Sequence, residues 1–198
     1  MSCPGTRVFG GVSVMLTMAI LFGSARVSAA RANVITLNPC NDAELTQPFA
    51  SWWDPAWYEL APGGDFENST WTLSLGAQRV RGSEPYAATG SLGSWSLELP
   101  AGSSAESPPT CVDAAYPSVR FFIGGTGSVA VSVVSGDTEI PAGIAVAGSE
   151  WLPTPVMLTS SALLAALSDG VAQVSLRIRA LSGDPHVDDV YIDPWCRG

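Results

Sequence analysis

The chain of 198 residues contains no lysine and only one histidine, His186. Without lysine it has no Walker-type phosphate loop, because that loop uses a lysine to reach the phosphates. One histidine leaves a Ser-His-Asp triad with a single candidate base, and the sequence has no G-x-S-x-G turn to carry the serine. A zinc site is not predicted either, since no two cysteines lie close in sequence and His186 has no partner histidine. We therefore predict that the protein is not an enzyme.

The N-terminus has the residue order of a secretory signal. Arg7 precedes an apolar run of 16 residues, Val8 to Gly23, and small residues follow it. That run is shorter than the ~20 residues that a membrane-spanning helix needs. We predict a signal peptide over residues 1–32, with cleavage after Ala29 or Ala32; an uncleaved anchor is the alternative. The mature protein is then secreted or held at the cell surface, with no membrane span of its own.

Acidic residues outnumber basic residues, 18 to 9. Removal of residues 1–32 takes away three arginines and no acids, which leaves 6 basic and 18 acidic residues and a net charge of −12. A surface of this sign repels nucleic acid and anionic membranes, so no nucleic-acid partner is predicted. About 166 residues remain, which suits one domain with a sizeable core.

Three cysteines stay in the mature chain: Cys40, Cys111 and Cys196. Export permits disulfide bonds, and an odd number leaves one cysteine over. Our first prediction is a Cys40–Cys111 bond, which ties the N-terminal segment to the middle of the domain and stabilises the fold by roughly 4 kcal/mol in the loop-entropy model. Cys40–Cys196 is the alternative. In the first pairing, Cys196 is free or bonds to another chain.

From residue 70 onward, apolar and polar residues alternate with a period of two. Alternation of this kind places the apolar side chains on one face, as in an antiparallel sheet with one buried side. Turns rich in Gly, Ser and Pro separate the runs. The apolar members are Trp71, Leu73 and Leu75; Trp95, Leu97 and Leu99; Val119, Phe121 and Ile123; Val129, Val131 and Val133; and Val174, Leu176 and Ile178. An all-β fold, an antiparallel two-sheet β-sandwich, is therefore predicted.

Residues 33–62 lack a sustained period and contain four prolines. We interpret them as an irregular N-terminal arm that packs on a β-sandwich domain formed by residues 63–198. The arm contains an aromatic cluster, which either anchors the arm by burial or forms a platform for stacking sugars. Its members are Trp52, Trp53, Trp57 and Tyr58.

Two further segments depart from the alternation. Ser160 to Gly170 has a capping serine, spaced leucines and a terminal glycine, and it is predicted to be the one short helix. Residues 100–110 are rich in Pro and Ser and are predicted as a long loop or an edge strand. Among the tryptophans of the sandwich, Trp71 and Trp95 alternate with core residues and are predicted to be buried.

Two landmarks open and close the sheet region. "GGDFENSTWTL" (Gly63 to Leu73) lies at its start, and "VDDVYIDP" (Val187 to Pro194) follows about 120 residues later. An opening G-x-F-E before a tryptophan and a closing strand of this type resemble the galactose-binding-like jelly rolls, which include many carbohydrate-binding modules of extracellular glycosidases. The resemblance covers roughly Leu60 to Pro194. The whole chain also resembles small, stand-alone secreted bacterial proteins, a likeness that implies no activity.

The resemblance implies a structural calcium ion between an acidic residue of the first strand and an aspartate of the last. The matching positions are Glu67 and Asp188, with Asp65 nearby. Alternation supports this independently: if Val190 faces the core, Asp188 shares its face and Asp189 points to water. An inward carboxylate needs a cation or several N–H donors, and Ca²⁺ prefers hard oxygen ligands. The alternative is an Asp188 carboxylate that backbone N–H groups satisfy alone.

The predicted function follows from the signal, the strand pattern and the resemblance. We expect a secreted, non-catalytic β-sandwich whose implied partner is carbohydrate or cell-envelope glycan. No position matches a defined sugar-binding motif, so no ligand-binding residue is assigned. The alternative is a cell-surface structural or protein-interaction module, in which the arm or Cys196 contacts another protein. His186 is interpreted as an ordinary surface residue at the entrance of the last strand.

Overall fold

Antiparallel strands make up nearly all of the regular structure. The computed structural model describes residues 44–113, 118–159 and 171–193. Within these ranges, fourteen strands form two sheets, and a short 3₁₀ helix spans Ala50–Trp52. The predicted fold class, an all-β antiparallel sandwich, is confirmed. The predicted signal peptide, Cys40, Cys196 and the predicted helix lie outside the described residues.

The first sheet, sheet A, has eight strands. They are β1 (Leu45–Thr46), β2 (Tyr58–Leu60), β4 (Gln78–Arg81), β5 (Trp95–Glu98), β8 (Ser118–Gly125), β11 (Leu152–Pro153), β12 (Met157–Leu158) and β14 (Pro185–Asp193). Strands β8 and β14 pair along the centre of the sheet. The other edge of β14 pairs with β5 near its beginning and with β2 near its end.

The second sheet, sheet B, has six strands. They are β3 (Thr72–Ser74), β6 (Ser104–Glu106), β7 (Thr110–Asp113), β9 (Gly127–Ser135), β10 (Thr138–Ala147) and β13 (Val171–Ser182). Their order is β10-β9-β13-β6-β3, and β7 pairs with the beginning of β13. Each described strand that was predicted from alternation is present.

Residues 100–110 correct the prediction of a loop or an edge strand. They contain β6, which lies between β3 and β13 and is therefore an interior strand. The strand has only three residues, and Ala105 is its one buried apolar side chain, so the sequence carries too short an alternation to detect. Strand β10 was missed for a related reason, since Pro141 interrupts it at an irregularity in its pairing with β9.

The main core lies between the two sheets. Sheet A contributes Leu97, Phe121, Ile123, Val187 and Val190, and sheet B contributes Val129, Val131, Val133, Val174, Leu176 and Ile178. Trp71 is buried as predicted, and its indole N–H donates to the carbonyl oxygen of Pro62 at 3.0 Å. In the described part of the chain, no helix has the length and apolar character needed to cross a bilayer.

The described core allows a prediction of how a core substitution changes the free energy of unfolding. Phe121→Ala removes a fully buried ring from the space between the sheets, and we expect it to lower the free energy of unfolding by about 3–5 kcal/mol. Leu92→Ala, at a position that is 66% exposed, serves as the control and should change it by less than about 0.5 kcal/mol. Urea unfolding curves measure both. Equal effects of the two substitutions would contradict the described core.

Candidate functional site

The last strand contains a β-bulge at its paired aspartates. The pairing of β14 with β8 shifts register between Asp188 and Tyr191. Asp189 has a φ of 47°, in the left-handed region that few non-glycine residues adopt. A bulge adds one residue to one strand and therefore displaces the alternation beyond it by one position. As a result Val187 and Val190, three residues apart, both lie in the core between the sheets.

The bulge changes the predicted orientation of both aspartates. Asp188 is buried, but it pairs with Phe122 on the outer face of sheet A, whereas Val187 pairs with Ile123 on the core face. Asp189 was predicted to point to water and is only 4% exposed. The sequence-based orientation is therefore wrong for both residues, because strict alternation does not continue through the bulge.

The outer face of sheet A is covered, so a side chain on that face can be buried. Phe49 and Tyr58 of the arm pack there against Phe122 and Tyr191, and all four are at most 1% exposed. The ring centroids of Phe49 and Tyr191 are 5.6 Å apart in an edge-on arrangement, a geometry that aromatic pairs favour. The arm is thus less irregular than its sequence suggests, since β1 and β2 extend sheet A.

Glu84, in the loop after β4, lies next to the two aspartates. Asp188 accepts hydrogen bonds from the backbone N–H of Glu84 at 3.0 Å and of Asp189 at 2.9 Å. Glu84 is 1% exposed and accepts hydrogen bonds from the N–H groups of Tyr86 and Ala88. Glu84 was not predicted from the sequence, because a single acid in the turn-like stretch "GSEPY" carries no pattern that marks it. We call Glu84, Asp188, Asp189 and the nearby Asp65 the acid cluster.

Burial raises the pKa values of the two aspartates. It raises the pKa of Asp188 to about 7. The pKa of Asp189 rises to about 9, first because of burial and then because of the negative charges of Asp188, Glu84 and Asp65. Asp189 also shares a hydrogen bond with Glu84. Two carboxyl groups in such contact hold a proton between them, so the cluster binds at least one proton at neutral pH.

The predicted calcium ligands do not all meet. Asp65 and Asp188 belong to the acid cluster, whereas Glu67 accepts hydrogen bonds from the backbone N–H groups of Ser94 at 2.6 Å and Trp95 at 2.9 Å. No group of three or more His, Cys, Asp or Glu side chains within the described ranges has the arrangement of a metal site. The donor chemistry of the acid cluster nevertheless suits a hard cation, because it consists of four carboxylates, three of them buried, without an ion-pair partner among the described residues.

The aromatic cluster of the arm divides into anchors and exposed rings. Tyr58 is buried, and Trp52 packs edge-on against Tyr86 and Phe122, with ring centroids 4.9 and 5.3 Å away. Trp53, by contrast, is 97% exposed and has a φ of 62°, and Trp57 is 50% exposed. The anchor alternative therefore holds for Tyr58 and Trp52, whereas the sugar platform stays a prediction for Trp53 and Trp57.

A nearly buried ion pair fixes the segment that bears Trp53. Arg120 lies 2.6 Å from the carboxylate of Asp54, which also accepts the Tyr58 hydroxyl at 2.7 Å. Arg120 donates as well to the carbonyl oxygen of Thr154 at 2.8 Å. Burial acts to raise the pKa of Asp54, but the hydrogen bonds from Tyr58 and Arg120 outweigh it, and the pKa is lowered. Asp54 therefore stays ionised, and Trp53 projects from a firmly held base.

An open depression of about 300 Å³ adjoins this segment. Its polar groups come from Asp54, Tyr58, Ser118 and Asp193, and its apolar wall from Ala56, Val156 and Leu158. We call it the arm depression. A second trough of about 460 Å³ lies over β9, β10 and β13, and none of the described residues that line it is aromatic. Of these two depressions in the described part of the chain, the arm depression is the one that lies next in sequence to the exposed indoles of Trp53 and Trp57.

Cys111 forms a disulfide bond. The other three cysteines of the chain lie outside the described residues. The Cys40–Cys111 pairing therefore stays a prediction.

Comparison with known proteins yields similarities of fold. No protein-family model and no curated protein sequence matches the chain. The C-terminal CBM6 of the laminarinase LamC from Zobellia galactanivorans is similar, with 10% identity and a TM-score of 0.43 over 60% of this chain and 91% of that one. The CBM22-1 xylan-binding domain of Xyn10C from Paenibacillus barcinonensis has 11% identity and a TM-score of 0.46, over 68% and 94% of the two chains. This likeness assigns neither a family nor a ligand to the chain.

The acid cluster makes a prediction about pH. An unfolded aspartate has a pKa of about 3.9, so the raised values mean that folding favours the protonated carboxyls. The stabilisation is complete below about pH 4 and is lost as the pH rises through about 7 for Asp188 and about 9 for Asp189. We therefore expect the melting temperature in EDTA to fall between pH 6 and pH 9.

Asp189→Asn tests the assignment, because it keeps the shape of the side chain and removes the titration. The variant should lose much of the decline in melting temperature between pH 7 and pH 9. Asp137→Asn, in an exposed turn, is the matched control and should keep the full decline. A wild-type melting temperature that stays constant from pH 6 to pH 9 would show that the cluster does not hold its protons as described.

Proposed function

We propose that the protein is a secreted, non-catalytic β-sandwich that binds glycan, and that it does so at the arm depression. The observation that carries the proposal is Trp53, an almost fully exposed indole on a segment fixed by the Arg120–Asp54 ion pair. Exposure of a large apolar ring is unfavourable in water. A rigid base means that little conformational entropy is lost when a ligand covers the ring.

The chemistry of the arm depression suits a sugar. A pyranose ring has an apolar C–H face, which an indole can cover, and a rim of hydroxyl groups. Carboxylate oxygens accept hydrogen bonds from hydroxyls, and a hydroxyl such as that of Ser118 donates or accepts. Asp54 and Asp193 line the depression beside Val156 and Leu158, so polar and apolar groups converge there as they do in small-molecule sites. Carboxylates at this position favour neutral over anionic sugars.

Glycan arrays followed by calorimetry test this function. Trp53→Ala should weaken binding of the best glycan about tenfold, which corresponds to roughly 1.4 kcal/mol, while Trp53→Phe should keep most of the affinity because it keeps an aromatic face. Leu92→Ala removes another exposed apolar side chain from a different loop and should have no effect. If the folded protein binds no glycan, the proposal fails, and the alternative of a protein-interaction module at the cell surface gains support.

We also propose that the acid cluster binds a structural Ca²⁺ ion. The residues that would hold it are Asp65, Glu84, Asp188 and Asp189, of which Asp65 and Asp188 belong to the set implied by the sequence. Glu67, the third member of that set, has its carboxylate engaged by two backbone N–H groups. The support is the raised pKa of Asp189 in the field of three other acids, since a cation would relieve the same repulsion that a proton relieves here.

Removal of metal tests the calcium proposal. EDTA should lower the melting temperature, and added CaCl₂ should restore it, with a larger difference at pH 8 than at pH 6 because protons compete for the same oxygens. Asp189→Asn should reduce the response to calcium, and Asp137→Asn should not. An unchanged melt in EDTA, together with no metal found by elemental analysis of the purified protein, would exclude the ion.

A further inference from the structure

Two arginines meet at one partly exposed tryptophan. Arg79 and Arg81 both lie on β4, and their guanidinium carbons are 4.6 and 4.9 Å from the ring centroid of Trp95. Trp95 was predicted to be buried, but it lies on β5 opposite Arg81, and its side chain reaches the surface. Such cation–π contacts hold the two guanidinium groups near each other despite their like charges.

The other described arginines have acidic neighbours. Arg120 pairs with Asp54. Arg177 pairs with both Glu106 and Glu139. Arg179 lies close enough to Glu139 to help lower its pKa.

Arg79 and Arg81 have no ion-pair partner among the described residues. Arg79 donates to the carbonyl oxygens of Phe66 at 2.7 Å and Glu67 at 3.0 Å, which fixes its guanidinium group. Arg81 is exposed, and its guanidinium group lies over the Trp95 ring without a hydrogen bond or ion pair to the described residues. Its N–H donors are therefore available at the surface, in a chain whose net charge is −9.

Hydrogen bonds to Phe66 and Glu67 hold Arg79 and Trp95 in place. The backbone N–H of Trp95 donates to the Glu67 carboxylate at 2.9 Å, and that of Ser94 donates to the same oxygen at 2.6 Å. The Arg79 guanidinium group donates hydrogen bonds to the backbone carbonyl oxygens of Phe66 and Glu67. Trp95 and the Arg79 guanidinium group are thus held in position without a ligand, which reduces the entropic cost of binding.

We propose that Arg81, with Arg79 and Trp95, binds the carboxylate of an acidic sugar unit. A guanidinium fork matches a carboxylate in geometry and charge, and the part of the half-buried Trp95 side chain that reaches the surface is available for apolar contact with the attached pyranose ring. The net charge of −9 repels polyanions at long range. The fitting ligand is therefore an isolated uronate within an otherwise neutral glycan. The inference rests on the proposed function in taking a glycan as the ligand, but it shares no residue with the arm depression.

Glucuronate and glucose are the test pair, because they differ only in the carboxylate at C6. In ¹H–¹⁵N NMR titrations of the full chain, glucuronate should shift the Trp95 indole signal with a Kd at least tenfold lower than that of glucose. Arg81→Gln should remove this preference. Arg179→Gln, at another exposed arginine, should retain it. Acetate should bind at least tenfold more weakly than glucuronate, because it lacks the ring; equal binding of acetate would overturn the assignment to a sugar.

Different experimental results would contradict the two glycan proposals. Trp53→Ala should leave the glucuronate response of Trp95 unchanged. If glucuronate does not shift the Trp95 signal, or if Arg81→Gln binds it as tightly as the wild type, the acidic-sugar site is overturned, whereas a loss of array binding on Trp53→Ala would still support the arm depression.

Discussion

The aromatic cover over the outer face of sheet A is the constraint on which both the acid cluster and the arm depression depend. Phe49 and Tyr58 pack on Phe122 and Tyr191, so the central strands β8 and β14 are buried on both faces. Polar groups on β14 consequently lose contact with water and must find partners within the protein. The same packing fixes the base of the arm, from which Trp53 projects. Loss of the cover would therefore hydrate the acids and release the exposed indole together.

Beneath this cover, the bulge at Asp189 determines which side chains of the last strand, β14, face the core. With regular alternation, one aspartate of the pair would face the core and the other would face solvent. The extra residue instead leaves Val187 and Val190 in the core and both aspartates buried outside it, next to Glu84. Carboxyl groups this close cannot all be ionised without a compensating charge. The protein therefore couples its folding to a proton at this point, and the proposed calcium ion would take the place of that proton.

The limits of sequence-based prediction can be traced to particular residues. Alternation in Val174, Leu176 and Ile178 predicted β13 correctly, because a strand with one solvent-exposed face carries a core residue at every second position. It failed at Asp189, because the bulge there displaces the alternation by one position, and a strict period of two does not allow for the spacing of three between Val187 and Val190. The role of Glu84 could not be predicted either, since its contact with Asp188 spans 104 positions and no local sequence pattern indicates it. The division of the Trp cluster into anchors and exposed rings depended on the cover over sheet A, which only the assembled fold defines.

The distribution of charge gives the two proposed glycan contacts opposite preferences. At the arm depression, the lining charges are the carboxylates of Asp54 and Asp193, so sugar hydroxyls are the fitting donors. At the end of β4, Arg79 and Arg81 lack acidic partners among the described residues, so a carboxylate is the fitting acceptor. The chain has only 9 basic residues against 18 acidic ones, and two unpaired arginines at one indole are therefore a local exception to its negative field. A ligand that is neutral along most of its length and carries a single carboxylate meets both preferences without the long-range repulsion that a polyanion would experience.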